Sequence, residues 1–221
     1  MINRPPIGFI VEGDGEYHCY PSLFAKIVES SGFKIPIVNA GGCGSVVKRL
    51  SDQLDDLLTV DSPANVIITV DLKDVIKQKL ARNEDELIGH LQAEVEKWYA
   101  TAINDERLHP LPKRIICLLQ VQKFETWIIS DIEGLKNNSI IRGDADNVDD
   151  AEIISEPTEW LKDNLIFQNN IKNPKFARSV VAALSPQIMQ QHSKSFKKFF
   201  DNCGNMYHDW TLDVTSSLGD T

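Results

Sequence analysis

The sequence predicts an α/β fold: a parallel sheet of about four strands flanked by helices, followed by a C-terminal helical extension. Three observations lead there. Short apolar, β-branched runs at 7–11, 34–38, 65–70 and 114–121 alternate with longer segments of helical periodicity, the pattern of strands joined by helical crossovers. The clearest runs are continuously apolar, which suits strands covered on both faces. Three of them lead into a carboxylate: Glu12, Asp71 and, just past the last run, Glu125.

The first run, Ile7-Gly-Phe-Ile-Val11, ends in Glu12, with Gly13 and Gly15 allowing a sharp turn before Glu16. A helix over 17–31 follows, with Tyr20, Leu23, Phe24 and Ile27 inward and Gly32 closing it. After the second run comes Asn39-Ala-Gly-Gly-Cys-Gly-Ser45 and a helix over 46–58. Glycines between a strand and a helix start expose backbone amides, so Gly41, Gly42, Gly44 and Ser45 are candidates for phosphate binding. A tight strand-to-helix connection explains the same glycines. Neither the P-loop spacing nor a dinucleotide fingerprint is present.

The third run, Asn65-Val-Ile-Ile-Thr-Val70, leads directly into Asp71-Leu-Lys-Asp74. Parallel neighbouring strands would bring Glu12 and Asp71 to one rim of the sheet, about 4–6 Å apart, where a hard divalent cation takes oxygen ligands. An amphipathic helix over 84–104 carries Leu87, Leu91, Val95 and Trp98 inward. Beyond the fourth run, Glu125 is either a helix-start carboxylate that complements the dipole or a third acid facing the site. Trp127 and Ile128 read as core.

Residues 137–157 are polar and acidic, a solvated or mobile loop; the run 143–150 lacks the glycine and closing glutamate of a calcium loop. Helices are expected over 158–166, 174–184 and 193–202. Phe196, Phe199 and Phe200 dock inward while the basic residues of 172–178 and 193–200 stay wet or grip a nucleic-acid backbone. The organisation is thus an α/β core at 1–136, an acidic loop at 137–157, a helical extension packing on the core at 158–210, and a flexible tail at 211–221.

The 221 residues carry a formal net charge of −9 with 42% apolar content. That charge argues against a protein that coats nucleic acid, yet admits an enzyme that meets phosphates through a bound cation. The scattered cysteines match no zinc spacing, and no run is long and apolar enough for a membrane span or signal peptide, so the expectation is a cytoplasmic protein without membrane contact.

Glu12-Gly-x-x-Glu16 after a first strand resembles the opening motif of Toprim domains, the metal-dependent modules of topoisomerases, primases and OLD-type nucleases. Together with Gly-Gly-x-Gly at 41–44, Asp71, Phe124-Glu-x-Trp-x-x-x-Asp131 and Ser-x-Ser-Phe at 193–196, the chain resembles the RloG-type Toprim-like family of bacterial proteins. The resemblance implies a Toprim-like core and a Mg²⁺- or Mn²⁺-dependent nuclease of a defence or mobile-element system. It also implies nucleic acid as substrate and a partner protein such as an ATPase.

By that carry-over Glu12 is the catalytic glutamate and Asp71 the first aspartate of an Asp-x-Asp pair. The sequence departs from the pair, with Lys73 in the second place and Asp74 after it. The expected site is then Glu12, Asp71 and Asp74 on the metal, with Lys73 and Glu125 in catalysis and Glu16 and Lys123 in support. The competing reading is an inactive Toprim-like subunit that works by binding another protein.

Overall fold

The computed structural model describes residues 4–167 and 169–219. Strands β1 (Gly8–Val11), β2 (Ile37–Asn39), β3 (Asn65–Asp71) and β4 (Arg114–Gln120) form one sheet in the order β2-β1-β3-β4, every adjacent pair parallel. Helix α1 (Asp14–Ile27) links the first two strands. Helices α2 (Cys43–Lys48) and α3 (Leu50–Val60) lead to β3, and α4 (Leu72–Lys77) and α5 (Glu84–Ala102) lead to β4. The α/β fold with its four parallel strands is the one the apolar runs predict.

Side chains alternate along each strand and divide the interior in two. Phe9, Val11 and Ile67 point to one face, where α1, α6 (Phe124–Ile129), α9 (Pro174–Ala183) and α11 (Lys194–Gly219) cover them. Ile10, Val66, Ile68 and Val70 point to the other, under α2, α3 and α5. The first face is aromatic. Trp127 is fully buried, with Phe199 at 4.9 Å and Phe196 at 5.4 Å between ring centroids. Rings at such separations add about 0.5–1.5 kcal/mol per pair beyond their buried area. Trp127 Nε1 donates to Ser195 Oγ at 2.8 Å, so its polar edge is matched as well.

Helices α7 (Ile132–Asn137), α8 (Pro157–Asn164) and α10 (Pro186–His192) complete the cover. The C-terminal helix packs on the sheet through Phe196 and Phe199, both fully buried. Two residues of the Ser-x-Ser-Phe motif serve this anchorage. Ser193 Oγ accepts the Phe196 amide at 3.1 Å, and Glu152 Oε1 accepts from Ser193 Oγ and the Ser195 amide.

Four expectations are corrected. The helix expected over 46–58 is two helices, broken at Arg49. Helices α4 and α10 are additional to those expected; each is short, α4 following β3 without a break and α10 following α9 after two residues. The segment 137–157 is largely exposed but pinned rather than free, since Ile141, Ala145 and Ala151 are buried against the aromatic face and Ile141 bridges Leu165. The tail expected to be flexible from 211 is helical through Gly219, while residues 220–221 lie outside the described residues. Met206, Tyr207 and Trp210 hold that helix against the body, and Arg114–Asp209 and Lys113–Asp213 ion pairs tie it to β4. Among the described residues no helix is long and apolar enough to cross a membrane.

Candidate metal centre

Parallel pairing brings the carboxyl ends of β1 and β3 side by side, with Ile10 opposite Ile68. Glu12 follows β1 and Asp71 closes β3. One carboxylate oxygen from each, together with one from Asp74, lie within 4.8 Å of one another. Asp74 reaches the cluster because the chain turns helical at once after Asp71. In a continued strand the residues two apart, 71 and 73, would share a side; on a helical turn those three apart do. The same switch carries Lys73 away. Its Nζ donates to Glu156 Oε1 at 2.7 Å and to the Ser155 carbonyl, so the catalytic role expected for Lys73 is corrected.

Asp71 is 7% exposed and its Oδ1 has no hydrogen-bond partner among the described residues. Burial, then the charges of Glu12, Glu16, Glu125 and Asp74, push its pKa well above the ordinary carboxylate value. Burial likewise raises Glu12, partly offset by the Asp71 amide, which donates to Glu12 Oε2 at 3.0 Å. Glu16, on the first turn of α1, is pushed to about 8 by burial and then by Glu12 and Glu125. Unpaired buried anions held this close are costly unless protonated or matched by a cation.

The cleft over this cluster has a volume of ≈ 360 Å³. Glu125 and Lys123 stand in its wall, opposite Gly13 and Gly41. Lys123 Nζ binds Asp74 Oδ2 at 2.9 Å. Burial works against the Lys123 charge, but the bond and attraction to Asp74 outweigh it and its pKa is raised. Lys123 therefore takes the place in the cleft that the sequence reading gave to Lys73.

The glycine loop does not offer its amides to a phosphate, and that expectation for Gly41, Gly42, Gly44 and Ser45 is corrected. The Gly41 amide donates to Asn39 Oδ1 at 2.9 Å and the Gly42 amide to the Glu12 carbonyl at 2.7 Å. The Cys43 amide donates to the Glu12 carboxylate, the Ser45 amide donates to the Gly42 carbonyl at 3.0 Å, and Gly44 does not line the cleft. The φ angles of +77° at Gly41 and +126° at Gly42 need glycine. The loop is a clamp on Glu12.

Beneath the acids lies a chain of neutral groups absent from the sequence reading. Gln120 Nε2 donates to Tyr20 Oη at 2.9 Å, and Tyr20 Oη donates to Thr69 Oγ1 at 3.1 Å. Thr69 lies two residues before the end of β3, and Gln120 closes β4 beside Asp71. Asp131 of the Phe-Glu-x-Trp motif lies elsewhere: it caps α7 through the Gly134 amide and accepts from the Ser185 amide at 2.7 Å.

A parallel sheet with three carboxylates converging at its carboxyl edge defines an α/β protein with a candidate divalent-cation centre. The family model described as "Domain of unknown function (DUF4276)" matches residues 11–202, most of the chain, and the protein belongs to that family. Comparison with curated proteins and with solved structures gives no match.

Proposed function

We propose that this protein is a divalent-cation-dependent phosphodiesterase, a nuclease of the Toprim type, with Glu12, Asp71 and Asp74 as cation ligands. The observation that carries the reading is the Asp71 carboxylate. It is buried, its Oδ1 lacks a partner, and its ligand oxygen and those of two further acids lie within 4.8 Å of one another. The donor set is all oxygen, which suits Mg²⁺ or Mn²⁺ over softer metals. Such an ion, when bound, polarises a phosphoryl oxygen and stabilises the leaving oxygen.

The chain's own residues supply the rest. Two amides fix the Glu12 carboxylate, so it enters the reaction already oriented. Lys123 and Lys172 in the cleft wall set positive charge where a phosphate would approach the acids. Glu16, whose pKa is raised by burial and by the charges of Glu12 and Glu125, lies in the cleft beside Glu12, placed to relay a proton to a leaving oxygen. Glu125 adds negative potential at the cleft mouth and so strengthens cation capture. The Glu-Gly-x-x-Glu opening supports the Toprim assignment, and the free cysteines support a cytoplasmic setting.

One observation favours a second reading. The Lys123–Asp74 ion pair already supplies an internal counter-charge, as a non-catalytic subunit that binds a defence-system partner such as an ATPase would need. The deciding measurement is cleavage of single- and double-stranded DNA and RNA across a Mg²⁺ and Mn²⁺ titration, alongside Glu12→Gln and Asp71→Asn. Metal-dependent cleavage lost in both variants is the expected result. Intact substrates under every condition would leave the binding subunit.

A further inference from the structure

The cleft has a side recess that the phosphodiesterase chemistry does not use. Glu125 and Ile171 line both, so the two adjoin. The recess also has Leu161, Leu165 and Phe176 in its wall, with Asn169 and Asn170. Leu161 and Ile171 are buried, and Phe176 is half-buried, packed against the core on one side and lining the recess on another.

The two asparagines are set for recognition. Asn169 Oδ1 accepts the Asn170 amide and Asn170 Oδ1 accepts the Lys172 amide, each at 2.9 Å. Their Nδ2 donors have no partner among the described residues. The charge around the recess runs against that of the whole chain. Residues 158–178 hold Lys162, Lys172, Lys175 and Arg178 against Glu159 and Asp163, in a protein of net −9. Among the described residues Lys172, Lys175 and Arg178 make no ion pair. Apolar wall, aromatic ring, directed amide donors and free cations together describe the two halves of a nucleotide.

We propose that this recess takes one unstacked base of a single-stranded nucleic acid, so that a neighbouring phosphate of the strand lies over Glu12, Asp71 and Asp74. The placement over those acids rests on the phosphodiesterase reading; base capture does not. Phe176 stacks on the base, the asparagine amides meet acceptors on its edge, and Lys172 and Lys175 follow the backbone. A base inside a duplex has its faces stacked and its edge paired, so it cannot enter without being extruded. Phe167, 73% exposed and adjacent in the chain, offers a ring to the next base.

The test is a fluorescence-anisotropy titration of Asp71→Asn, in Mg²⁺, with labelled short oligothymidylate, oligouridylate, the same strands carrying abasic positions, and a duplex of equal length. Single strands are expected to bind at least about ten-fold more tightly than the duplex, with a loss of about ten-fold on abasic substitution or on Phe176→Leu, as base stacking on an aromatic gives. Phe176→Leu keeps an apolar side chain in the wall, and an unchanged melting temperature would show that it folds. Lys172→Ala should flatten the salt dependence, and Lys97→Ala, on the other side of the sheet, should not. Equal affinity for duplex and single strand, indifference to Phe176→Leu and abasic positions, or no binding at all would each overturn the recess. Strand-selective binding without metal-dependent cleavage by the parent protein would keep the recess and sink the phosphodiesterase reading. The DNA and RNA arms identify the sugar.

Discussion

The two ends of the sheet solve opposite problems. At the amino ends, the Arg4 guanidinium donates to the carbonyls of Ser62, Pro63, Pro110 and Leu111, at 2.7–3.1 Å. Asn65 Nδ2 donates to the Pro6 carbonyl at 3.0 Å and Trp210 Nε1 to the Arg4 carbonyl at 3.1 Å. Among the described residues the neutral Asn65 Oδ1 has no partner. At the carboxyl ends, Glu12, Glu16, Asp71 and Asp74 crowd together, with Lys123 bonded to one of them and a buried Asp71 oxygen unmatched. A rim that serves only the fold matches its polar groups to one another. A rim that holds like charges together weakens the fold unless a ligand compensates, and such a rim marks a site.

That contrast is breakable by experiment, and the largest effect belongs to the acidic rim. Asp71→Asn should lower metal-dependent cleavage by about a hundred-fold or more, since even outer-shell changes at metal centres cost about 10–100-fold. In metal-free buffer the same change should raise the melting temperature. A lower melting temperature would mean that the carboxylate is structural.

Acidity gives the next effect. Glu16 titrates at about 8 in the fold against an ordinary 4.5. An acid with a raised folded pKa binds its proton more tightly when folded, so the penalty is absent below about 4.5 and grows as pH rises toward about 8. Stability without metal should therefore fall steadily as pH rises across that window, with Glu12 and Asp71, also raised, adding to the slope. Urea unfolding at several pH values reads this directly, and Glu16→Gln should flatten the profile. Added Mg²⁺ should recover stability at the alkaline end by mass action, and Asp71→Asn should not respond to it.

At the quiet rim, Arg4→Met should cost about 1–3 kcal/mol by leaving carbonyls unmatched. The loss should appear as a lower urea midpoint with an unchanged slope, and cleavage per folded molecule should be unaltered. The smallest effect is expected for Lys73→Ala. Its side chain pairs with exposed Glu156 outside the cleft, so metal-dependent cleavage should be unaffected. A large loss would restore Lys73 to the chemistry.

Much of this rim is legible in the sequence, because β1, β3 and β4 are continuous apolar runs and their carboxyl ends are visible as abrupt acids. The path of the chain just beyond each strand is not legible. Whether residue 73 or 74 joins Asp71 depends on the chain turning helical after Asp71, and the four residues Asp71-Leu-Lys-Asp74 satisfy either geometry. The glycine loop misleads for a related reason: the glycines show that amides are exposed locally, not that the Glu12 carboxylate and carbonyl are waiting for them. Composition hides the buried part of 137–157, since a few small or apolar residues anchor an otherwise charged segment. The length of α11 is readable in hindsight, as Phe196, Phe199, Cys203, Met206 and Trp210 recur at three- and four-residue spacing.

That last helix extends past residue 202, where the family match ends. Its further turns bring Trp210 onto the backbone of Arg4, 206 residues away in sequence. Those turns therefore work as a latch between α11 and the residues just before β1, and a version cut after residue 202 would keep Phe196 and Phe199 in place while β1 lost that fastening.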